Sequence, residues 1–349
     1  MAPVSAQAPT PSTAPSPAGT PTAQAATSLP RVRLVATGGT ISNRDAGRLT
    51  ADDLVTSVPG LRSVAAVDAE QFSNTTSAEL ALSQWIDLSR RLGAMLREDP
   101  ALAGVVVTSG TDTLEELAYF LHLTVRDRRP VVVTGSMRHP DQPGYEGTAN
   151  LLAAFRVAAE PEAAGRGVLV VLNDEINGAR DVTKSDALRL HTFVSRGAGR
   201  LGVVDHDRVV FHRSAEARHT AASEFDVARV TELPRVDVFL VYQGAAGDVI
   251  RAAVDAGARG IVIASAGAGA TSGTQEEGIA YARDRGVAVV VTTRTGSGRI
   301  SPDSNAVRGR ADRRIAGEDL SPVKARVLLM LALTRTSDPA QLQRIFHEY

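Results

Sequence analysis

The sequence contains no cysteine. That absence excludes a disulfide framework, a thiolate nucleophile and any zinc or iron–sulfur site built on cysteine ligands. The seven histidines form no HExxH pair, and three of them, His206, His212 and His219, stand in a polar segment without carboxylates at ligand spacing. We therefore expect these histidines at the surface, and we expect neither a metal ion nor a cofactor.

The chain also lacks an excess of charge of one sign, because its formal net charge is -1 and opposite charges are interspersed. It gives no electrostatic reason to expect nucleic acid or an anionic membrane as a partner. No apolar run approaches the roughly 18 to 20 residues that a membrane-spanning helix needs. The expected partner is a small molecule or another copy of the chain. Hydrophobic residues make up 43% of the sequence, which is enough for a sizeable core.

Residues 1–29 consist almost entirely of alanine, proline, serine and threonine. Such a composition offers no core, so we expect this segment to be disordered. It lacks the basic start and the apolar stretch of an intact signal peptide, although Ala6-Gln7-Ala8 has the small-x-small pattern of a cleavage site. Two interpretations stay open: the remnant of an export signal with a spacer, or a plain disordered tail.

From Arg31 onward, short apolar strands alternate with helical patterns. In the first half we expect strands at 32–36, 104–107, 131–134 and 167–172, and helices at 78–99, 111–126 and 147–159. Strands that are continuous valine and leucine runs, separated by helices, indicate a parallel sheet covered on both faces.

The alternation stops in a polar stretch over 205–235 and then resumes. In the second half we expect strands at 236–242, 260–265 and 287–292, and helices at 248–256, 274–285, 322–333 and 339–346. The sequence thus predicts an α/β fold of two domains. A larger N-terminal parallel-sheet domain at 30–212 carries the active-site loops, a linker covers 213–234, and a smaller C-terminal α/β domain covers 235–349.

The first polar cluster, Thr37-Gly38-Gly39-Thr40, follows the strand at 32–36. Ligands bind at the carboxyl ends of strands in open parallel sheets, and paired glycines let backbone amides approach a ligand closely. Taken alone, the pattern is more typical of a tight turn with a threonine cap. Neither GxGxxG nor GxxxxGK[ST] spacing is present, which disfavours nucleotide phosphate.

The second cluster, at residues 108–113, places four hydroxyl groups and Asp112 between a valine-rich strand and a helix. A carboxylate at a helix N-terminus is stabilised in its ionised form, so Asp112 suits a substrate ammonium group or a nearby lysine. A simple helix cap that complements the dipole explains the same pattern equally well.

The third cluster, at residues 181–184, ends in Lys184 in what we expect to be a polar loop. A lone lysine in a loop is normally solvated. If it lies beside Thr111, however, a desolvated lysine can take the proton of a threonine hydroxyl, and threonine is a poor nucleophile without such a base.

In this order, the three clusters resemble bacterial L-asparaginases of the type II class, the exported form. The resemblance covers essentially all of 31–349 and includes the motifs at 36–41, 110–113, 135–138 and 181–184 and the tail at 325–349. It implies hydrolysis of L-asparagine in a periplasmic or secreted enzyme, with a cytoplasmic location as the alternative. It also implies a homotetramer whose active sites are shared between subunits, without metal or cofactor.

The resemblance assigns four catalytic residues and two further substrate contacts. Thr40 matches the threonine that attacks the side-chain amide carbon and forms an acyl-enzyme. Thr111 and Lys184 match an activating pair that acts on water or supplies an alternative nucleophile. Asp112 matches the aspartate that binds the substrate's α-ammonium group and belongs to the same threonine–lysine group.

The two remaining contacts are serines. Ser77 falls where a serine binds the α-carboxylate, and Ser136 falls where a backbone carbonyl lines the amide end. Both positions are taken from the resemblance alone.

Three positions depart from the family pattern. The family places a tyrosine in the mobile loop after the nucleophile, whereas residues 41–53 contain none and the nearest one downstream is Tyr119. Ala78 stands where many relatives have a glutamine that helps to hold the substrate amine. Ala245 stands near the place of an asparagine donated by a neighbouring subunit. From Ala78 we expect weaker activity on glutamine than on asparagine.

Two other functions stay open at this point. One is a non-catalytic amino-acid binder on the same scaffold, which the absent tyrosine would suit. The other is an asparaginase-like amidotransferase subunit, which carries an additional N-terminal domain that residues 1–29 are too short to form.

Overall fold

A computed structural model describes residues 2–3, 28–304, 307 and 314–349 of the chain. The segment 1–29, expected to be disordered, lies almost wholly outside these residues. Across the described ranges, no helix combines the length and the apolar character that crossing a membrane requires.

The first two thirds of the chain form a large sheet and the helices that cover it. In chain order the elements are β1 (Arg31–Gly38), β2 (Asn43–Arg44), β3 (Gly47–Arg48), α1 (Ala51–Thr56), α2 (Leu61–Val64), β4 (Ala66–Thr75), α3 (Leu82–Glu98), β5 (Leu102–Thr108), α4 (Leu114–Thr124), β6 (Val131–Thr134), α5 (Gly147–Ala159), β7 (Val168–Leu172), β8 (Glu175–Gly178), β9 (Val182–Lys184), β10 (Phe193–Ser195), β11 (Gly202–Val204) and β12 (Val209–Phe211).

The last third forms a second, smaller sheet with its own helices. Its elements are β13 (Val236–Leu240), α6 (Asp248–Asp255), β14 (Gly260–Ser265), α7 (Gln275–Asp284), β15 (Ala288–Thr293), β16 (Ile315–Ala316), α8 (Pro322–Leu333) and α9 (Pro339–Glu348). The predicted fold class, α/β with a larger first and a smaller second domain, is confirmed.

The large sheet has eight strands in the order β12-β11-β8-β7-β6-β5-β1-β4. Strands β4, β1, β5, β6 and β7 run parallel, as predicted, whereas β8, β11 and β12 extend the sheet by antiparallel pairing. The predicted parallel sheet is confirmed for these five strands. The antiparallel edge was not predicted; there, short hairpin connections join β7 to β8 and β11 to β12 in place of crossover helices. The small sheet, in the order β13-β14-β15-β16, is parallel throughout.

Successive side chains of the central strands point to opposite faces of the large sheet, as the two-residue period of a strand requires. Val105 and Val107 of β5 pack in the same cluster as residues of α3, α4 and α8. Val106, between them, packs in a second cluster that includes residues of α1 and α5. Helix α8 of the second domain thus shares a core with the large sheet, which brings the two domains together beside β9.

Candidate active site

The ends of three neighbouring parallel strands lie side by side at one edge of the large sheet. Ala36 of β1 pairs with Thr108 of β5, which in turn pairs with Thr134 of β6. The Thr37 hydroxyl donates a 2.7 Å hydrogen bond to the Thr108 carbonyl oxygen. The polar clusters that follow these strands therefore start from one place, at the carboxyl edge where α/β sheets bind ligands.

Two glycines let these segments approach each other closely. Gly39 has a φ of 90°, and a Cβ atom there would lie 2.3 Å from the Gly110 Cα. A Cβ atom on Gly110 would in turn lie 2.9 Å from the Ser77 hydroxyl oxygen. Only glycine fits such backbone contact. The contact places the turn that begins at Thr40 against the segment that carries Thr111, with Ser77 on the other side of Gly110.

Lys184 is joined to both residues of the second cluster. Its Nζ atom donates to Thr111 Oγ1 at 3.0 Å and to Asp112 Oδ1 at 2.7 Å. The lysine side chain is 14% exposed, whereas that of Asp112 is 76% exposed. The nearly buried amine of Lys184 thus contacts the buried hydroxyl of Thr111 and the solvent-exposed carboxylate of Asp112.

Strand β9, rather than the polar loop that we predicted, carries Lys184. It pairs antiparallel with β10, where Lys184 stands opposite Phe193. One carboxylate oxygen of Glu115, Oε1, accepts hydrogen bonds from the Lys184 N–H at 3.1 Å and the Thr183 hydroxyl at 3.0 Å. Because Glu115 is buried in the first turn of α4, it fixes the backbone of β9 to the helix that follows Asp112.

A second lysine, Lys324, was missed by the sequence analysis. Lys184 and Lys324 are the only two lysines in the chain. The fully buried Nζ of Lys324 donates to the carbonyl oxygens of Arg180, at 2.8 Å, and Val182, and lies 4.0 Å from Glu115 Oε2. Burial lowers the pKa of Lys324 to about 8. Its position in the apolar helix α8 was the available signal, since a lysine there needs polar partners.

Ser77 lies buried beside the start of α4. Its hydroxyl oxygen accepts the Thr113 N–H at 3.3 Å. Thr113 holds the N-cap position of α4 but makes no capping bond with its own side chain, and Ser77 binds the N–H of this N-cap residue. The Gly39 N–H donates to the Thr75 carbonyl oxygen at 2.9 Å, which removes that amide as a donor to a ligand.

Ser136 lies just beyond the end of β6 and is fully buried. Its hydroxyl donates to the Arg138 carbonyl oxygen at 2.7 Å. The preceding residue, Gly135, lies close to the second cluster, because a Cβ atom there would be 3.4 Å from a methyl carbon of Thr111. Ser136 thus belongs to the segment that borders this cluster.

The two alanines that depart from the family pattern occupy different parts of the molecule. Ala78 is exposed in the 3-10 turn Ser77–Glu79 that precedes α3. Ala245 is buried in the connection between β13 and α6 of the second domain, where its N–H donates to the Tyr242 carbonyl oxygen at 3.1 Å.

This arrangement suits attack on a carbonyl carbon by a hydroxyl group. It combines two threonine hydroxyls in adjoining segments, an amine in hydrogen-bond contact with one of them, and an exposed carboxylate for a cationic group of the ligand. Within the described ranges, no group of three or more histidine, aspartate or glutamate side chains could hold a metal ion.

Comparison with known proteins identifies the relatives of this chain. Residues 31–217 match the family model "Asparaginase, N-terminal", and residues 235–346 match "Glutaminase/Asparaginase C-terminal domain". The chain is 41% identical over 331 residues to L-asparaginase 2 of Bacillus subtilis, covering 92% of this chain and 87% of that protein. It is 36% identical to a probable periplasmic L-asparaginase of Haemophilus influenzae, covering 93% and 94%.

A solved structure agrees with these sequence matches. The crystal structure of a probable cytoplasmic L-asparaginase from Campylobacter jejuni superposes with a TM-score of 0.86 at 37% sequence identity, covering 91% of this chain and 99% of that one. Both domains, their order and most of the chain length are shared. The protein therefore belongs to the asparaginase family.

Proposed function

We propose that the protein hydrolyses L-asparagine to L-aspartate and ammonia, with the Thr40 hydroxyl as the nucleophile. The observation that carries this proposal is the 3.0 Å hydrogen bond from Lys184 Nζ to Thr111 Oγ1, next to the Gly39–Gly110 contact from which Thr40 extends. Threonine needs a basic group nearby to react. The names of the relatives from Bacillus subtilis and Haemophilus influenzae, both L-asparaginases, support the same reaction.

The reaction has two halves. In the first, Thr40 Oγ attacks the side-chain amide carbon, the C–N bond breaks, and the nitrogen leaves as ammonia with the hydroxyl proton. An aspartyl ester remains on Thr40. In the second half, water attacks the ester, with Thr111 and Lys184 orienting it and relaying one proton to Thr40 Oγ, so that aspartate and free enzyme result.

The substrate's backbone groups are held by the side chains of Ser77 and Asp112. Ser77 Oγ accepts the Thr113 N–H, so its own proton is available to donate to the α-carboxylate. The exposed carboxylate of Asp112 binds the α-ammonium group. The backbone carbonyl of Ser136 lines the amide end.

Ammonia release from asparagine tests this proposal directly. We expect turnover by the purified protein, and loss of it in Thr40→Ala, with a circular dichroism spectrum that matches the wild type. Thr56→Ala, which truncates a threonine at the end of α1, is the matched control and should retain activity. Near-wild-type turnover by Thr40→Ala would show that Thr40 is not the nucleophile and would favour Thr111 in that role. Absence of turnover in the wild type, with aspartate still bound in a calorimeter, would favour the amino-acid binder.

Glutamine should be the weaker substrate. A site that fixes both backbone groups of the amino acid tolerates one extra methylene only as far as the pocket length allows. Ala78 also lacks the amide that holds the substrate amine in many relatives. We expect a lower kcat/KM for glutamine than for asparagine, and a change in that ratio in Ala78→Gln. Equal or faster turnover of glutamine would contradict the proposal.

We also propose that the chain assembles into a homotetramer with shared active sites. The support is three exposed apolar side chains of the second domain: Leu240 at the end of β13 is 53% exposed, Tyr242 just after it is 55% exposed and Val249 in α6 is 53% exposed. Leu240 ends β13, which is an edge strand. Exposed apolar side chains at a sheet edge favour association. Light scattering of the wild type and of Leu240→Lys tests this, with a tetramer expected only for the former.

The proposed compartment is the periplasm or the exterior. The name of the Haemophilus influenzae relative supports export, whereas that of the Campylobacter jejuni protein points to the cytoplasm. Fractionation of native cells followed by an activity assay decides between them.

We further propose domains at 30–212 and 235–349 with a linker at 213–234. Separate expression of each part can test these boundaries.

A further inference from the structure

The segment after Thr40 is held by side chains from another part of the large domain. We define the nucleophile segment as residues 40–48, which contain a 3-10 turn, Thr40–Ser42, and the hairpin formed by β2 and β3. Opposite it lies the β6–α5 connection, residues 135–146. The side chain of Tyr145 makes the contact nearest to Thr40, since its hydroxyl donates to the Ile41 carbonyl oxygen at 2.9 Å.

Two further residues of the β6–α5 connection hold the hairpin. His139 Nδ1 lies 3.2 Å from the Asn43 carbonyl oxygen. Asp141 Oδ2 accepts the Asp45 N–H at 2.9 Å. The hairpin thus has anchors of its own. Of the three side chains from the β6–α5 connection, Tyr145 is the one that bonds to the turn, whose Ser42 hydroxyl also donates to Asn74 Oδ1 at 3.3 Å.

The tyrosine ring is fixed independently of that hydrogen bond. Tyr145 is half-buried and lies against the first residue of α5, because a Cβ atom on Gly147 would be 2.2 Å from the tyrosine oxygen. Burial raises the pKa of Tyr145, so the hydroxyl keeps its proton at neutral pH. A rigid ring with a permanent donor is well suited to hold one carbonyl oxygen in place.

We propose that Tyr145 is the positioning residue for the Thr40 nucleophile. By holding the carbonyl of the next residue, Ile41, it fixes the turn from which the Thr40 hydroxyl reaches the substrate amide. It supplies from the β6–α5 connection a tyrosine that residues 41–53 lack. This inference rests on the proposed function, because it matters for catalysis only if Thr40 is the nucleophile.

The expected effect is on kcat rather than on substrate binding. Ser77 and Asp112, which bind the substrate in the proposed function, lie in other segments. A misplaced nucleophile lowers the rate of attack, and a displacement of about 1 Å can cost about 100-fold. In Tyr145→Phe we therefore expect kcat on asparagine to fall at least about tenfold, with KM within about twofold of the wild type.

Tyr281→Phe is the matched control, because it removes a tyrosine hydroxyl that donates to Asp255 Oδ1 at 2.6 Å in the second domain. It should leave kcat and KM unchanged. Hydrogen exchange of the peptide covering 37–49 gives a second measurement, and it should be faster in Tyr145→Phe and unchanged in Tyr281→Phe.

An unchanged kcat in folded Tyr145→Phe, or a raised KM with kcat unchanged, would overturn the inference. Failure of the proposed function looks different, because it shows as an inactive wild type or an active Thr40→Ala. In that event the exchange rate of 37–49 still decides whether Tyr145 holds the turn.

Discussion

The Nζ atom of Lys324 donates a hydrogen bond to the carbonyl oxygen of Val182, two residues before Lys184. The only other lysine of the chain therefore holds the strand that carries the lysine of the candidate site. Lys324 belongs to α8 in the second domain, whereas β9 belongs to the first. The contact makes the position of Lys184 depend on how the two domains pack.

Replacing Lys324 with methionine should damage both stability and activity. The substitution keeps much of the side-chain volume but leaves the carbonyl oxygens of Arg180 and Val182 without their donor. Buried acceptors without partners cost about 1 to 3 kcal/mol each. We expect a lower urea midpoint. We also expect kcat to fall by about tenfold or more, because β9 would no longer be held in place and Lys184 would move away from Thr111.

Arg326→Met is the control for this variant. Arg326 lies on the same helix but donates to the Val236 carbonyl oxygen of the small sheet and pairs with Glu116 of α4 at 3.6 Å; neither partner belongs to β9. It should lower the urea midpoint and leave kcat near the wild-type value. If both variants lost activity in proportion to stability, Lys324 would have no specific effect on Lys184.

The stability contributed by Lys324 should depend on pH in the alkaline range. Burial lowers its pKa from 10.5 to about 8. Between these values the unfolded chain binds a proton that the folded chain has released, so stability from this group rises with pH. The difference in unfolding free energy between the wild type and Lys324→Met should therefore grow from pH 7.5 to pH 9.5. A constant difference across urea titrations at these pH values would refute the pKa shift.

Alanine at Gly39 should destabilise the protein and remove activity. The new Cβ would lie 2.3 Å from the Gly110 Cα, and backbone atoms cannot yield as a flexible side chain does. Gly257 offers a matched control, because its φ of 91° is close to the 90° of Gly39 while a Cβ there meets nothing within 4 Å. Both variants carry positive-φ backbone strain of about 1 to 3 kcal/mol. Only Gly39→Ala should lose more stability than that, together with kcat/KM.

The sequence predicted best those elements that are buried on both sides. Strand β6 (Val131–Thr134), strand β14 (Gly260–Ser265) and helix α5 (Gly147–Ala159) have the predicted bounds. Strand β4 (Ala66–Thr75) was missed, because it is an edge strand whose acidic and amide side chains hide the apolar pattern. The antiparallel strands β8, β11 and β12 were missed as well, since they are three or four residues long.

For the candidate site, the sequence indicated which clusters follow which strands, but not how their side chains meet. That Thr40 and Thr111 lie in adjoining segments follows from the strand register. That Lys184 reaches Thr111 depends on the short pair β9–β10 and on Glu115, which no periodicity reveals. Tyr145 stands far from Thr40 in the sequence, so only the folded chain relates them. The catalytic roles and the domain boundaries remain predictions.

Truncation of Ser77 to alanine should weaken substrate binding more than it slows catalysis. The variant loses the hydroxyl proposed to donate to the α-carboxylate, and a hydrogen bond to a charged group contributes about 1.5 to 3 kcal/mol. We expect KM for asparagine to rise about tenfold or more, and aspartate to bind correspondingly less tightly in a calorimeter. Ser57→Ala, which removes a hydroxyl bonded to the Leu54 carbonyl oxygen, is the control. Unaltered aspartate affinity in Ser77→Ala would show that a residue other than Ser77 binds the α-carboxylate.

A buried histidine, with a partly buried one packed against it, should make the fold sensitive to acid. His122 Nδ1 accepts the Val168 N–H at 3.1 Å, and its ring centroid lies 4.9 Å from that of His219. His219, expected at the surface, is thus partly covered. Burial is the main cause that lowers the pKa of both side chains, and for His122 the neighbouring His219 adds to it.

The direction of the pH effect follows from proton binding. Below the ordinary histidine pKa of 6.5 the unfolded chain takes up protons that the folded chain does not, so stability falls as pH decreases. His122→Asn keeps an acceptor for the Val168 N–H but cannot titrate. Its urea midpoint should fall less than that of the wild type between pH 7.5 and pH 5.5. His347→Asn, at a side chain that is 74% exposed, should follow the wild type. Parallel curves for wild type and His122→Asn would show that His122 does not contribute to acid sensitivity.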